Sequence, residues 1–133
     1  MKSYLKTTAG VVLSATMATA SYGATVNVGE LQGFTGPLES MIGPMSGGAN
    51  LAVTEANASG AYLQGTINVV QGDSVCIDPA VAIAQAEKMV NDDNVMAIMG
   101  PNCSGNTGAV ITNVLVPNGI VSISPSATSP ALT

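Results

Sequence analysis

The sequence has 133 residues, a formal net charge of −5 and no histidine. Without histidine the chain lacks the commonest general base and a common metal ligand of proteins, which argues against most catalytic and metal-binding functions. After residue 23 it carries eight acidic residues against a single lysine, so nucleic acid, which proteins bind through Lys and Arg, is not an expected partner.

The N-terminus has the composition of a secretory signal. Two lysines fall within the first six residues, residues 8–20 are small and apolar, and small residues precede possible cleavage points after Ala20 and Gly23. The apolar run is shorter than the ~20 residues that a membrane-spanning helix needs. We therefore predict that residues 1–23 are a signal peptide and that the mature protein is periplasmic or secreted.

The remaining segment, residues 24–133, alternates strand patterns with helix patterns. β-Branched and apolar residues predict four strands, of which the last two are apolar runs that suit burial on both faces. The strands are predicted at residues 26–31, 66–71, 95–99 and 119–123. One residue from each is expected to be buried in the sheet: Val28, Val69, Ile98 and Val121.

Helical spacing predicts a helix after each of the first three strands. In the first, apolar residues recur at helical intervals over residues 45–56, and Gly60 follows as a stop. The second has a clear start, since Asp78 can cap the free amides and Pro79 suits the first turn, and it continues to Asn91.

The third helix is predicted to begin near Thr107 and to end before Pro117, because proline interrupts the helical hydrogen bonds. The resulting β-α-β-α-β-α-β order predicts an α/β fold with a parallel, doubly wound sheet in the strand order 2-1-3-4. Ligands of such sheets bind beyond the carboxyl ends of the strands. The candidate loops are therefore residues 32–43, 72–78, 100–106 and the segment from Ser124 onward.

The loop "GPNCSGNT", residues 100–107, differs from a phosphate-binding loop by one residue, because Asn106 stands where that motif requires lysine. Backbone amides at a helix start and the hydroxyl of Ser104 suit a singly charged carboxylate better than a polyphosphate. A plain alternative is that Ser104 and Gly105 only form a tight turn and a helix cap.

Two further features lie in the candidate loops beyond the carboxyl ends of the strands. Cys76 and Cys103 are spaced too far apart for a redox pair of the C-x-x-C type, and an exported protein favours a structural disulfide over two free buried thiols. The terminal segment "SPSATSPALT", residues 124–133, is rich in hydroxyls and free carbonyls, which suit an amino acid's carboxylate and ammonium, although a solvated polar loop has the same composition.

In combination these segments resemble a known family. "GDSVCIDPAVAIAQAEKMVND" at residues 72–92, "GPNCSG" at residues 100–105 and "SISPSATSPALT" at residues 122–133 are similar, in order and spacing, to the N-terminal lobe of periplasmic leucine/isoleucine/valine-binding proteins. These are the type I solute-binding components of ABC transporters. The resemblance runs from about residue 26 to residue 133, so residues 24–133 are expected to form an incomplete N-terminal lobe, without the second lobe that closes over the ligand.

The resemblance implies roles for individual residues. Ser104 donates its hydroxyl to the α-carboxylate of an amino acid, Thr128 reaches the same head group, and the Ser126 carbonyl accepts from the α-ammonium. Cys76 and Cys103 form the family disulfide. The chain departs from the family at Met41, which stands where members often carry an aromatic residue against the ligand, with Phe34 and Leu38 as possible substitutes.

The resulting prediction is a non-enzymatic substrate-binding component of an ABC importer for branched-chain or related amino acids, with no cofactor and no metal. Its expected partners are the amino acid and the membrane permease subunits, and the full-length protein is expected to be a monomer. The alternative is the extracellular ligand-binding domain of a receptor. An enzyme using residues 100–107 for a nucleotide, or Cys103 as a nucleophile, is the least favoured reading, since the chain offers no histidine to activate a thiol.

Overall fold

Four parallel strands form a single sheet in a computed structural model that describes residues 23–60, 62 and 65–133. The strands are β1 (Ala24–Gln32), β2 (Gly65–Asp73), β3 (Val95–Met99) and β4 (Val121–Ile123). Their order is β2-β1-β3-β4, with every pairing parallel, which confirms the predicted 2-1-3-4 order. The predicted signal peptide lies, except for its last residue, outside the described residues.

Helices connect the strands and a short turn follows the last one. They are α1 (Glu39–Ser59), α2 (Pro79–Asn91), α3 (Ser104–Val110), a π-helical segment (Ile111–Leu115), α4 (Val116–Asn118) and a 3₁₀ turn (Pro130–Leu132). Among the described residues, no helix combines the length and the apolar character that crossing a membrane requires.

Helix α1 begins earlier than its apolar spacing predicts. It starts at Glu39 and contains Pro44, which removes one backbone hydrogen bond, and it ends as predicted at Gly60, whose φ of 66° is left-handed. Ile42, almost fully buried, holds the added first turn against the protein. Met41 therefore lies in a helix rather than in the predicted loop, since the Gly-Pro pair masks the helical pattern.

Helix α2 forms as predicted because its start and end are both specified locally. The Asp78 side chain accepts a hydrogen bond from the Ala80 amide at 2.9 Å, and Pro79 occupies the first turn. Near its end, the Lys88 ammonium lies 2.7 Å from an Asp93 carboxylate oxygen.

The third predicted helix is longer at both ends than expected. It begins at Ser104 rather than near Thr107, and the helical conformation continues through Pro117 to Asn118 instead of ending before the proline. The reason is the π-helical segment, where the Val116 amide donates to the carbonyl of Ile111, five residues back. This wider turn shifts the hydrogen-bond register ahead of Pro117, so its missing amide is tolerated.

The core lies between one face of the sheet and the helices that follow β2 and β3. Its fully buried members are Leu31, Ala82, Ala86, Met89, Val95, Ile98, Val110, Val114 and Leu115. Helix α2 packs close because the sheet presents glycines to Met89. A Cβ on Gly72 would lie 2.7 Å from the Met89 Cε atom, and one on Gly29 would lie 3.0 Å from its Sδ atom. A larger residue at either position would force the end of the Met89 side chain to move.

The opposite face of the sheet is only partly covered, because α1 packs mainly against β2. Beside β3 and β4 it leaves an open apolar groove of about 240 Å³, whose lining includes Val28, Val121 and Ile123. Of the four residues expected to be buried, Ile98 is 2% exposed, whereas Val28 and Val69 are half-buried. The prediction for Val121 is wrong, since it is 67% exposed on a strand that no described helix covers from this side.

The two faces of the sheet should differ in their sensitivity to truncation. We expect Ile98→Ala to lower the free energy of unfolding by about 3 kcal/mol, because it leaves a cavity in the core. The same measurement by urea unfolding should show a change within about 0.5 kcal/mol for Val121→Ala. Equal losses in both variants would show that the β4 face is covered in solution.

Candidate functional site

The site is the edge of the sheet where all four strands end. Parallel pairing brings the loops after the strands to this edge, at residues 33–38, 74–78, 100–103 and 124–129. The disulfide between Cys76 and Cys103 joins the loops after β2 and β3, with 5.5 Å between the two Cα atoms. The predicted bond is thereby confirmed, and Cys103 is not available as a free nucleophile.

The Ser104 side chain contacts the backbone of Thr128. The Ser104 hydroxyl oxygen accepts hydrogen bonds from the amides of Thr128 at 3.1 Å and Ser129 at 3.2 Å. A hydroxyl has one proton and two lone pairs, so this arrangement occupies the lone pairs and leaves the proton for another partner. Ser104 is half-buried and Thr128 is exposed, which leaves both within reach of a small solute.

Hydrogen bonds of Ser124 and Ser126 fix the terminal segment against the loop after β3. Ser124 donates to the Pro101 carbonyl at 2.6 Å and accepts from the Ala127 amide at 2.9 Å. The Ser126 hydroxyl donates to the Asn102 carbonyl at 2.8 Å. The side chain of Ser126 is therefore used internally, while its carbonyl receives no hydrogen bond from the described residues.

Two asparagines of the "GPNCSGNT" loop act inside the protein. Asn106, at the lysine position of a phosphate-binding loop, is buried and donates to the Ser74 carbonyl at 2.8 Å. Asn102 is also buried, and its Oδ1 atom accepts from the Gly33 amide at 3.0 Å. The sequence analysis did not single out Asn102. The signal that could have identified it is an amide side chain directly before the cysteine of the motif.

Met41, the remaining candidate, lies in the first turn of α1 and is 52% exposed. It lies on a different element from Ser104 and Thr128. Its thioether sulfur carries no hydrogen, so it cannot donate a hydrogen bond to either residue. Its predicted contact with a ligand side chain therefore stays a prediction. Among the described residues there is no group of three or more His, Cys, Asp or Glu side chains placed to hold a metal ion.

Asp73 anchors the loop after β1 to the loop after β2. Its carboxylate accepts from the Thr35 hydroxyl at 2.5 Å and from the Val75 amide at 2.9 Å, and it holds Val75 at a φ of 48°, which is unusual for a β-branched residue. Partial burial raises the pKa of Asp73. The hydrogen bonds from Thr35 and Val75 and the backbone amides of Thr35 and Phe34 lower the pKa by more than burial raises it, so the net pKa is below the ordinary 3.8.

The fold and this site define a class of protein. Residues 25–133 match the family described as periplasmic binding protein, and the chain belongs to that family. Members of the family are extracytoplasmic solute-binding proteins rather than enzymes.

Two relatives indicate which members of the family the chain is similar to. The chain is 34% identical over 105 residues to the Leu/Ile/Val-binding protein of Escherichia coli, covering 71% of this chain and 28% of that protein. It is 34% identical over 99 residues to the leucine-, isoleucine-, valine-, threonine- and alanine-binding protein of Pseudomonas aeruginosa, covering 74% of this chain and 26% of that one.

A solved structure shows the same fold. The branched-chain amino acid transporter substrate binding protein LivJ of Streptococcus pneumoniae, in complex with isoleucine, superposes with a TM-score of 0.75 and 34% identity, over 82% of this chain and 31% of that one. The chain thus spans less than a third of the length of these relatives.

The disulfide should stabilise the protein measurably. Replacing both Cys76 and Cys103 with serine removes a bond that closes a loop of 27 residues, which corresponds to about 3.5 kcal/mol in the chain-entropy description. Thermal or urea unfolding of the double variant should show a loss of this size. Titration of unreduced protein with a thiol reagent should find no free thiol, and a count of two would contradict the bond.

The lowered pKa of Asp73 predicts a pH-dependent contribution to stability. It is fully present above the ordinary value of 3.8 and is lost as the pH falls through the lower folded-state pKa. Thr35→Val removes one bond to the carboxylate and should raise the pKa of Asp73 toward 3.8, as measured by carboxyl-carbon NMR titration. The variant's stability deficit should be present at neutral pH and vanish in acid, and an unchanged Asp73 titration would contradict this role of Thr35.

Proposed function

We propose that the protein is the extracytoplasmic substrate-binding component of an ABC importer and that it binds a branched-chain or related amino acid by its head group. The observation that carries this proposal is the Ser104 hydroxyl, whose oxygen accepts from the Thr128 and Ser129 amides. A hydroxyl held in this way is a fixed donor at the mouth of the site. Membership of the periplasmic binding protein family and the names of the relatives support the same function.

The head group of an amino acid matches the groups at this edge. Ser104 donates to the α-carboxylate, and the exposed Thr128 hydroxyl supplies a second donor. The Ser126 carbonyl accepts from the α-ammonium. Apolar atoms of Phe34, Leu38 or Met41 are the candidates for contact with the ligand side chain. Capture requires no covalent step, in keeping with a non-enzymatic role.

The proposed location of the protein follows from its predicted export. Residues 1–23 act as the signal peptide, and residues 24–133 form part of one lobe of a two-lobed protein that is a monomer when full length. Closure of a second lobe excludes water and presents the loaded protein to membrane permease subunits. One lobe alone leaves most of the ligand in water, so we expect this chain by itself to bind weakly.

Titration of this chain with L-leucine, followed by amide NMR, tests the site. Wild type should show saturable shifts at Ser104, Thr128 and neighbouring amides. Ser104→Ala and Thr128→Val should each weaken binding about tenfold, because each removes a hydrogen bond to a charged group worth roughly 1.5–3 kcal/mol. The two losses should be non-additive if both hydroxyls contact one carboxylate.

Two controls make the test specific. Thr112→Val removes a hydroxyl whose bond is local to its own helix, at the Gly108 carbonyl, and should leave binding unchanged. L-Leucinamide, which lacks the carboxylate, should bind wild type far more weakly than L-leucine does and should lose little further in the variants. If leucine binds and neither site substitution changes its affinity, the assignment of Ser104 and Thr128 is wrong, even where the transport role holds.

A further inference from the structure

A buried carboxyl group lies on the other face of the sheet from the core, away from Ser104 and Thr128. Glu30, near the end of β1, is 1% exposed. Within the described part of the chain Lys88 is the sole Lys or Arg side chain, and it is bonded to Asp93 at 2.7 and 2.9 Å. No cationic side chain of the described protein therefore neutralises Glu30, which is unusual because buried charges are normally paired or bound to metal ions.

The partners of Glu30 are two neutral amides. The Gln32 Nε2 atom donates to one carboxyl oxygen at 2.6 Å, and the Gln71 Nε2 atom, from the neighbouring strand β2, donates to the other at 2.9 Å. Both carboxyl oxygens accept a hydrogen bond. These bonds offset part of the desolvation cost but bring no opposite charge.

Gln32 adds an acceptor that has no donor. Its Oε1 atom is buried in a residue that is 0% exposed and receives no hydrogen bond. Nε2 of the same amide is bonded to Glu30, so the unpartnered oxygen belongs to a group in direct contact with the carboxyl group. Buried, unpartnered acceptors are rare in proteins, and this one stands next to an unneutralised acid.

Gln71 links the buried acid to helix α1. Its side chain is exposed and donates to the Ser46 hydroxyl oxygen of α1 at 3.3 Å as well as to Glu30. Ser46 is half-buried. The hydrogen bonds of Gln71 therefore connect the buried carboxyl group to partly exposed groups at the contact between α1 and β2.

We propose that Glu30 and the Gln32 carbonyl oxygen bind a monovalent cation of the sodium, potassium or ammonium class. The site offers one formal negative charge and neutral oxygen atoms, which suits a single positive charge and a hard cation. It lacks the additional carboxylates with which proteins usually bind calcium, and it has no nitrogen or sulfur ligand for a transition metal. The cation neutralises Glu30, independently of what the Ser104 site binds.

Thermal unfolding at constant ionic strength tests this cation site. Wild type is compared in roughly 0.1 M sodium, potassium or ammonium chloride and in the chloride of N-methyl-D-glucamine, which screens charges equally but is too bulky to enter. At least one small cation should raise the Tm by about 5 °C over the bulky one. Glu30→Gln should abolish the difference, while Glu55→Gln, at an exposed position of α1, should preserve it.

The wild-type series decides the proposal even if Glu30→Gln does not fold. Equal Tm values in all four salts overturn it. A calcium or magnesium effect larger than that of every monovalent ion, at matched ionic strength, overturns the assignment to monovalent cations. If sodium is the stabilising ion, the ²³Na resonance should broaden with wild-type protein and sharpen when potassium or ammonium competes, and the absence of broadening contradicts a sodium site.

Discussion

The close approach of α2 to the sheet is the constraint on which the rest of the structure depends. Gly29 and Gly72 leave room for Met89, so α2 lies directly on β1 and β2 with its alanines buried. That position sets where the chain leaves β2 and enters α2, and hence where Cys76 stands relative to Cys103. Since the disulfide joins Cys76 to Cys103, the loops after β2 and β3 are held together next to the start of α2.

The candidate site consists of uncharged groups, since Lys88 is the single Lys or Arg side chain after residue 23. In the proposed site a carboxylate would meet hydroxyls and amides, whose orientation must replace charge. This explains why the Ser104 oxygen is held by two backbone amides, and why Ser124 and Ser126 are bonded to the carbonyls of Pro101 and Asn102. Oriented neutral donors suit a carboxylate better than a polyphosphate, in agreement with Asn106 facing the Ser74 carbonyl instead of solvent.

The features that the sequence predicts correctly are those specified by residues close to one another in the chain. The Asp78 cap, the Gly60 stop and the apolar runs of the strands each act over a few residues, and parallel crossover rules then order the sheet. The errors arise where packing, or an unusual helical turn, overrides the local pattern. The burial of Ile42 allows α1 to begin before Pro44, a π-helical turn lets the helix pass Pro117, and the exposure of Val121 depends on which helix covers which strand. Asn102 was missed because its partner, Gly33, is 69 residues away.

The partly covered face of the sheet carries two features that follow from a single cause. Because α1 packs mainly against β2, Glu30 is buried beside Gln71 of that strand, while Val28 and Val121 line the open groove beside β3 and β4. An acid in the open groove would be hydrated and need no partner. In its buried position Glu30 must be satisfied by the groups packed around it, and the amides of Gln32 and Gln71 meet only its hydrogen-bonding needs. The position of one helix therefore turns an ordinary glutamate into a group that favours a bound cation.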